Sequence, residues 1–133
     1  MKLLDSTFLI DFLRKKEDVK EKLEEMFLEN LYTTRINIFE TFVGIYAIKL
    51  EADREKKFAD ANALFARLRV LELNSTSAQK AAEICGNNII KGMIIEPADC
   101  LIAGIALSNG IGTIITRNTK HFQGIEGLKV EGY

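Results

Sequence analysis

The sequence predicts an α/β domain in which a central parallel sheet is covered by helices on both faces. Two observations carry this reading. Short apolar runs alternate with longer stretches of helical periodicity along the whole chain, and that alternation builds parallel sheets flanked by helices. The 133 residues suit one hydrophobic core, being too few for two ordinary domains.

Each element has its own signal. Lys2-Leu3-Leu4 forms a short buried strand ending on Asp5. Phe8, Leu9, Phe12 and Leu13 fall at helical spacing over about 6–16, and Val19, Leu23, Met26 and Phe27 do so over about 18–29. Leu31–Thr34 is a strand. Asn37 is expected to cap a helix over 38–50. A helix near 52–69 presents Phe58, Ala61, Phe65 and Leu68, and residues 70–73 form a strand. Ser75 or Thr76 is expected to cap a helix over 77–90. Gly92 breaks the chain before the apolar turn Met93-Ile94-Ile95. Pro97 opens a helix, where its missing N–H costs nothing, and Gly110 stops it after Asn109. Residues 113–116 form a buried strand, 124–127 a loop and 128–131 a last strand.

Composition excludes several classes. Hydrophobic residues make up 47% and charged residues 28%, which excludes a largely disordered chain. A net charge of −1, from 18 basic and 19 acidic side chains, does not mark a strongly basic nucleic-acid binder. A basic rim around an acidic centre would leave the same total, so charge does not decide the partner. Cys85 and Cys100 form no CxxC pair, and one histidine gives no zinc signature. Both are expected as buried free thiols in a reducing compartment. No signal-peptide core and no apolar run of about 18 residues is present, so the expectation is a cytoplasmic protein without a membrane span.

Folds of this class place their sites at the carboxyl ends of strands, where strand order reverses. Four polar residues stand at such ends or open apolar helices. Asp5 follows the first strand; it is a good helix cap by type, but Ser6 can take that role and free it. Glu40 shares a helix face with Val43 and Ala47. A carboxylate there needs a buried ion pair, a cleft edge or a metal. Asp99 begins an apolar helix, where the helix dipole favours an acid, yet Glu96 precedes it as a second one. Asn118 follows the strand 113–116; it suits a turn, and its amide oxygen can also ligate a hard cation. Three converging carboxylates repel one another unless a divalent cation lies between them. Oxygen-only ligands suit Mg²⁺ or Mn²⁺, and such an ion assists phosphodiester hydrolysis. Among the basic residues near these positions, Arg117 is the expected phosphate contact.

The order Leu3-Leu4-Asp5-Ser6-Thr7-Phe8-Leu9-Ile10-Asp11, Ile38-Phe39-Glu40, Ala98-Asp99-Cys100-Leu101-Ile102-Ala103 and Thr116-Arg117-Asn118 resembles the PIN-domain family, in particular its VapC toxin branch. The resemblance covers essentially the whole chain, 1–133, as one nuclease domain. It implies a three-layer α/β/α sandwich and Mg²⁺ or Mn²⁺ held by Asp5, Glu40 and Asp99. Asn118 stands at the fourth position, often Asp in that family, which lowers the charge available to a second cation. Ser6 and Thr116 are the implied helpers, and His121 is read as a surface residue. The implied activity is endonucleolytic RNA cleavage by the toxin of a type II toxin–antitoxin pair, as a homodimer inhibited by a VapB-like antitoxin. The apolar residues Phe8, Phe12, Phe42, Ile45 and Tyr46 are expected in the core or in an antitoxin groove. The alternatives are a catalytically weak RNA- or protein-binding module on the same fold and a housekeeping RNA-processing nuclease. Outside the family stand a phosphatase with Asp5 as nucleophile, against which Thr7 two residues on counts, and a receiver-like signalling domain, which Lys120 matches only loosely.

Overall fold

A computed structural model describes all 133 residues. Five strands, β1 (Lys2–Leu4), β2 (Leu31–Thr34), β3 (Arg69–Leu71), β4 (Thr113–Ile115) and β5 (Lys129–Glu131), alternate with seven helices. The sheet is parallel throughout, in the order β3-β2-β1-β4-β5. The chain steps from β1 outward through β2 to β3, then returns to the other side of β1 for β4. The reversal therefore falls between β1 and β4, where Leu4 pairs with Ile115.

The two residues that end β1 explain the three layers. Side chains alternate across a strand, so Leu3 and Leu4 enter opposite cores. Leu4 and Ile115 join Phe8, Leu9 and Leu13 of α1 (Ser6–Leu13) and Val19 of α2 (Glu17–Glu25). Ile38 and Ile45 of α3 (Arg35–Tyr46) and Ala61, Leu64 and Phe65 of α4 (Glu51–Phe65) complete that core. Leu3 and Ile114 join Ala81 and Ile84 of α5 (Ser75–Ile90), Ile102, Ala103 and Ala106 of α6 (Pro97–Ser108), and Phe122 of α7 (Thr119–Phe122). No helix is long and apolar enough to cross a membrane.

Two caps differ from expectation, and both shifts follow from side-chain reach. Thr34, not Asn37, caps α3; its side chain accepts from the Asn37 N–H while the Asn37 amide oxygen accepts from the Thr34 N–H. The reciprocal box moves the helix start back to Arg35 and leaves the Asn37 NH₂ free to face the site. Asn74, not Ser75 or Thr76, caps α5 in the same way with Ser77. The helix α7 has no periodic signal, because it spans one turn.

The cysteines are also corrected. Cys85 and Cys100 are not free thiols but form a disulfide, with Cα atoms 5.9 Å apart. They lie on α5 and α6, which touch backbone to backbone: a Cβ on Gly104 would stand 2.6 Å from the Ala81 nitrogen. Helices that close bring paired positions within bridging distance, and spacing along the sequence does not reveal it.

Candidate active site

Asp5 leaves β1 at the sheet reversal, its N–H bonded to the Ile115 carbonyl. It occupies the N-cap position of α1 yet makes no side-chain cap bond. Its carboxylate, buried in the sheet end, instead accepts from Asn37 Nδ2 at 3.1 Å, Thr7 Oγ1 at 3.1 Å and Thr116 Oγ1 at 2.7 Å. Ser6 caps nothing either. Its hydroxyl donates to Glu40 Oε1 at 2.5 Å and accepts from Asn37 Nδ2 at 3.0 Å. Asn37 thus ties Asp5 to Ser6, and Ser6 ties both to Glu40.

Glu40 projects from α3 at the cleft edge, half-buried, beside exposed Val43 rather than on a core face. Burial, with the nearby charges of Asp5 and Asp99, pushes its carboxyl above the ordinary range against the opposing bond from Ser6. Asp99 sits in the first turn of α6. Burial raises its carboxyl as well, as do the charges of Asp5 and Glu96, while His121 acts in the opposite direction. Glu40 therefore feels the charges of Asp5 and Asp99, and Asp99 feels that of Asp5. No lysine or arginine pairs with any of them; His121 Nδ1, 3.1 Å from Asp99 Oδ2, is the single basic contact.

Three hard oxygen donors without a lysine or arginine partner suit by their chemistry a divalent ion of the Mg²⁺ or Mn²⁺ type. Their present hydrogen bonds turn them onto Asn37, Ser6 and His121, and no three acids, histidines or cysteines form a ready-made ligand cluster. A separate groove lies elsewhere, at the far end of α1, between Phe12, Lys16, Lys20 and Lys56.

The residues after β4 complete the site. Thr116 is fully buried and donates to Asp5. Asn118 is exposed at the N-cap position of α7, with no side-chain cap bond. The Arg117 guanidinium, expected at a phosphate, is engaged instead by Asp11 at 2.6 Å and Asp18 at 3.1 Å. Three contributors lie outside the sequence expectation for the site: Asn37, expected as a cap; Thr7, expected only as the residue that counts against a phosphatase; and His121, expected at the surface. The signal available for Asn37 was the Thr34-to-Asn37 spacing of a capping box. Of the expected groove residues, Phe8 and Ile45 are core, Phe12 and Phe42 pack against it, and Tyr46 is exposed.

Carboxylates gathered near the switch point of a parallel sheet, between helices of both layers, mark an α/β domain of defined topology. The PIN domain model matches residues 2–128, and the chain belongs to the PIN-domain family. It is similar to the plasmid stability protein StbB of Pseudomonas syringae pv. tomato, 32% identical over 136 residues, 98% of this chain and 96% of that protein. It is also similar to the tRNA(fMet)-specific endonuclease VapC of Salmonella typhimurium, 29% identical over 134 residues with the same shares covered. Its fold matches the DNA-bound VapBC structure from Salmonella typhimurium with a TM-score of 0.85 and 25% identity, over 98% of this chain and 96% of that one.

Proposed function

We propose that this chain is a metal-dependent endoribonuclease of one domain and the toxin of a type II toxin–antitoxin pair. One observation carries the reading: Asp5, Glu40 and Asp99 lack a lysine or arginine partner, and burial together with the nearby charge of Asp5 raises the carboxyls of Glu40 and Asp99. The similarity to a protein named as a tRNA endonuclease supports RNA as the substrate class.

In this reading Asp5, Glu40 and Asp99 hold Mg²⁺ or Mn²⁺, with Asn118 as a neutral fourth group. The ion offsets phosphate charge and makes water a better nucleophile. The chain's own contribution is placement. Asn37, Thr7 and Thr116 hold the Asp5 carboxylate, and Ser6 holds Glu40, as outer partners of metal-binding carboxylates do.

An antitoxin of the VapB type is the proposed partner, in line with the VapBC complex this fold matches. A second copy of the chain is the other. Phe39, Val43 and Tyr46 stand one turn apart on the outer face of α3 at 65%, 53% and 71% exposure. An apolar stripe of that kind suits an interface. The proposed compartment is the cytoplasm.

The test is incubation of the purified protein with a panel of structured RNAs, initiator tRNA included, in Mn²⁺ or Mg²⁺. We expect internal cleavage that EDTA and Asp99→Asn each abolish. Cleavage that persists in Asp99→Asn would refute the site. Tight RNA binding without cleavage would favour the catalytically weak binding module.

A further inference from the structure

A buried carboxylate outside the proposed metal site is unexplained by the function. Asp11 lies six residues beyond Asp5 on α1 and is 4% exposed, among Phe8, Leu9 and Leu13 of the same helix. A buried charge is costly unless it is paired and hydrogen-bonded. Here Arg117 Nε donates to it at 2.6 Å, Lys16 Nζ at 2.9 Å and the Tyr133 hydroxyl at 2.9 Å.

The other contacts of Arg117 close the arrangement. Its Nη2 donates to Asp18 at 3.1 Å, and its guanidinium lies 5.0 Å from the centre of the Tyr133 ring. That ring meets Phe8 edge-on at 5.2 Å. The guanidinium is thereby held on several sides, with its charge matched by two carboxylates. The backbone around it leads into the site: Thr116 donates to Asp5, the Arg117 N–H donates to Thr7 Oγ1 at 3.0 Å, and the Asn118 N–H donates to Thr116 Oγ1 at 3.1 Å. Apart from this latch, the Thr7 hydroxyl is the contact between α1 and the segment 116–118.

We infer that Asp11 is a positioning residue which, through Arg117 and Tyr133, locks the segment Thr116–Asn118 to α1 and so sets Thr116 and Asn118 relative to Asp5. The inference rests on the nuclease reading for its effect on activity. It assigns Arg117 to the latch and not to RNA.

The test compares wild type with Asp11→Asn, Arg117→Ala, Arg117→Lys and Tyr133→Phe. It measures kcat and KM for RNA cleavage, the salt dependence of RNA binding, and hydrogen exchange at the Arg117 and Asn118 amides. We expect Asp11→Asn and Arg117→Ala to lower kcat by about 10- to 100-fold, the range for residues that orient ligands. KM should stay within about twofold, since substrate contacts are intact. Both amides should exchange faster. Arg117→Lys should recover part of the loss, and Tyr133→Phe, which removes one hydroxyl and should fold, should show a smaller effect of the same kind. A raised KM with a shallower salt slope in Arg117→Ala would overturn the inference and make Arg117 a phosphate contact. Unchanged kcat and unchanged exchange in folded Asp11→Asn or Tyr133→Phe would also overturn it. If wild type cleaves no RNA, the nuclease reading fails separately, and the exchange rates alone decide the latch.

Discussion

At the scale of single residues, the site depends on polar groups that abandon their usual local duties. Asp5 stands at a helix cap and does not cap; Ser6 beside it does not cap either. Both instead serve carboxylate geometry, which an isolated helix would not select. Asp11 gives this scale a pH prediction. Burial alone would raise its carboxyl, but Lys16, Arg117 and Tyr133 outweigh burial and hold it below its ordinary value of 3.8. A carboxyl depressed in the folded state stabilises the fold above its unfolded pKa, and that stability is lost as pH falls through the folded value. The stability advantage of wild type over Asp11→Asn, measured by urea unfolding, should therefore be constant near neutrality and shrink below about pH 4. An advantage that grows on acidification would contradict the assignment.

At the scale of elements, α5 and α6 pack at backbone contact. Gly104→Ala would place a methyl 2.6–2.8 Å from the Ala81 nitrogen, Cβ and Cα. Two packed helices cannot move aside cheaply, so a loss of about 1–3 kcal/mol is expected. Gly86→Ala is the matched control. No atom lies within 4 Å of its added Cβ, and replacing a helical glycine with alanine should gain up to about 1 kcal/mol. Thermal unfolding of the pair should therefore move in opposite directions. The same helices carry the Cys85–Cys100 bond, which closes 15 residues. Reduction should destabilise by about 3 kcal/mol if unfolded-chain entropy dominates. An unchanged Tm after dithiothreitol, with two free thiols counted by mass, would contradict that estimate.

These elements also show what the sequence makes legible. Strands β1 and β4 and helices α1 and α6 announce themselves by apolar runs and periodicity, and each carries or leads into a residue of the proposed site: Asp5, Thr116, Ser6 and Asp99. Glu40 is legible as a carboxylate that needs an explanation. What the sequence hides is contact between elements. The Cys85–Cys100 bond, the Asn37 bridge and the pairing of Asp99 with His121 all join residues whose proximity is created by packing. Arg117 shows the same limit: its ion pairs with Asp11 and Asp18 join residues far apart in the chain, which packing alone brings together.

At the scale of the molecule, one topological choice concentrates the chemistry. By returning across β1 to form β4, the chain opens a crevice at the strand ends, and Asp5 and Thr116 meet in it. Helices α3 and α6, from opposite layers, add Glu40 and Asp99 over the same opening. Folding thus brings together charges that repel, and in the proposed function a divalent ion completes them. Titration of Mn²⁺ into wild type, Asp5→Asn, Glu40→Gln and Asp99→Asn, followed by calorimetry, tests this most directly. Single removal of any one carboxylate should weaken the same binding event by about tenfold or more. Mn²⁺ affinity that is indifferent to all three substitutions would contradict a shared carboxylate site.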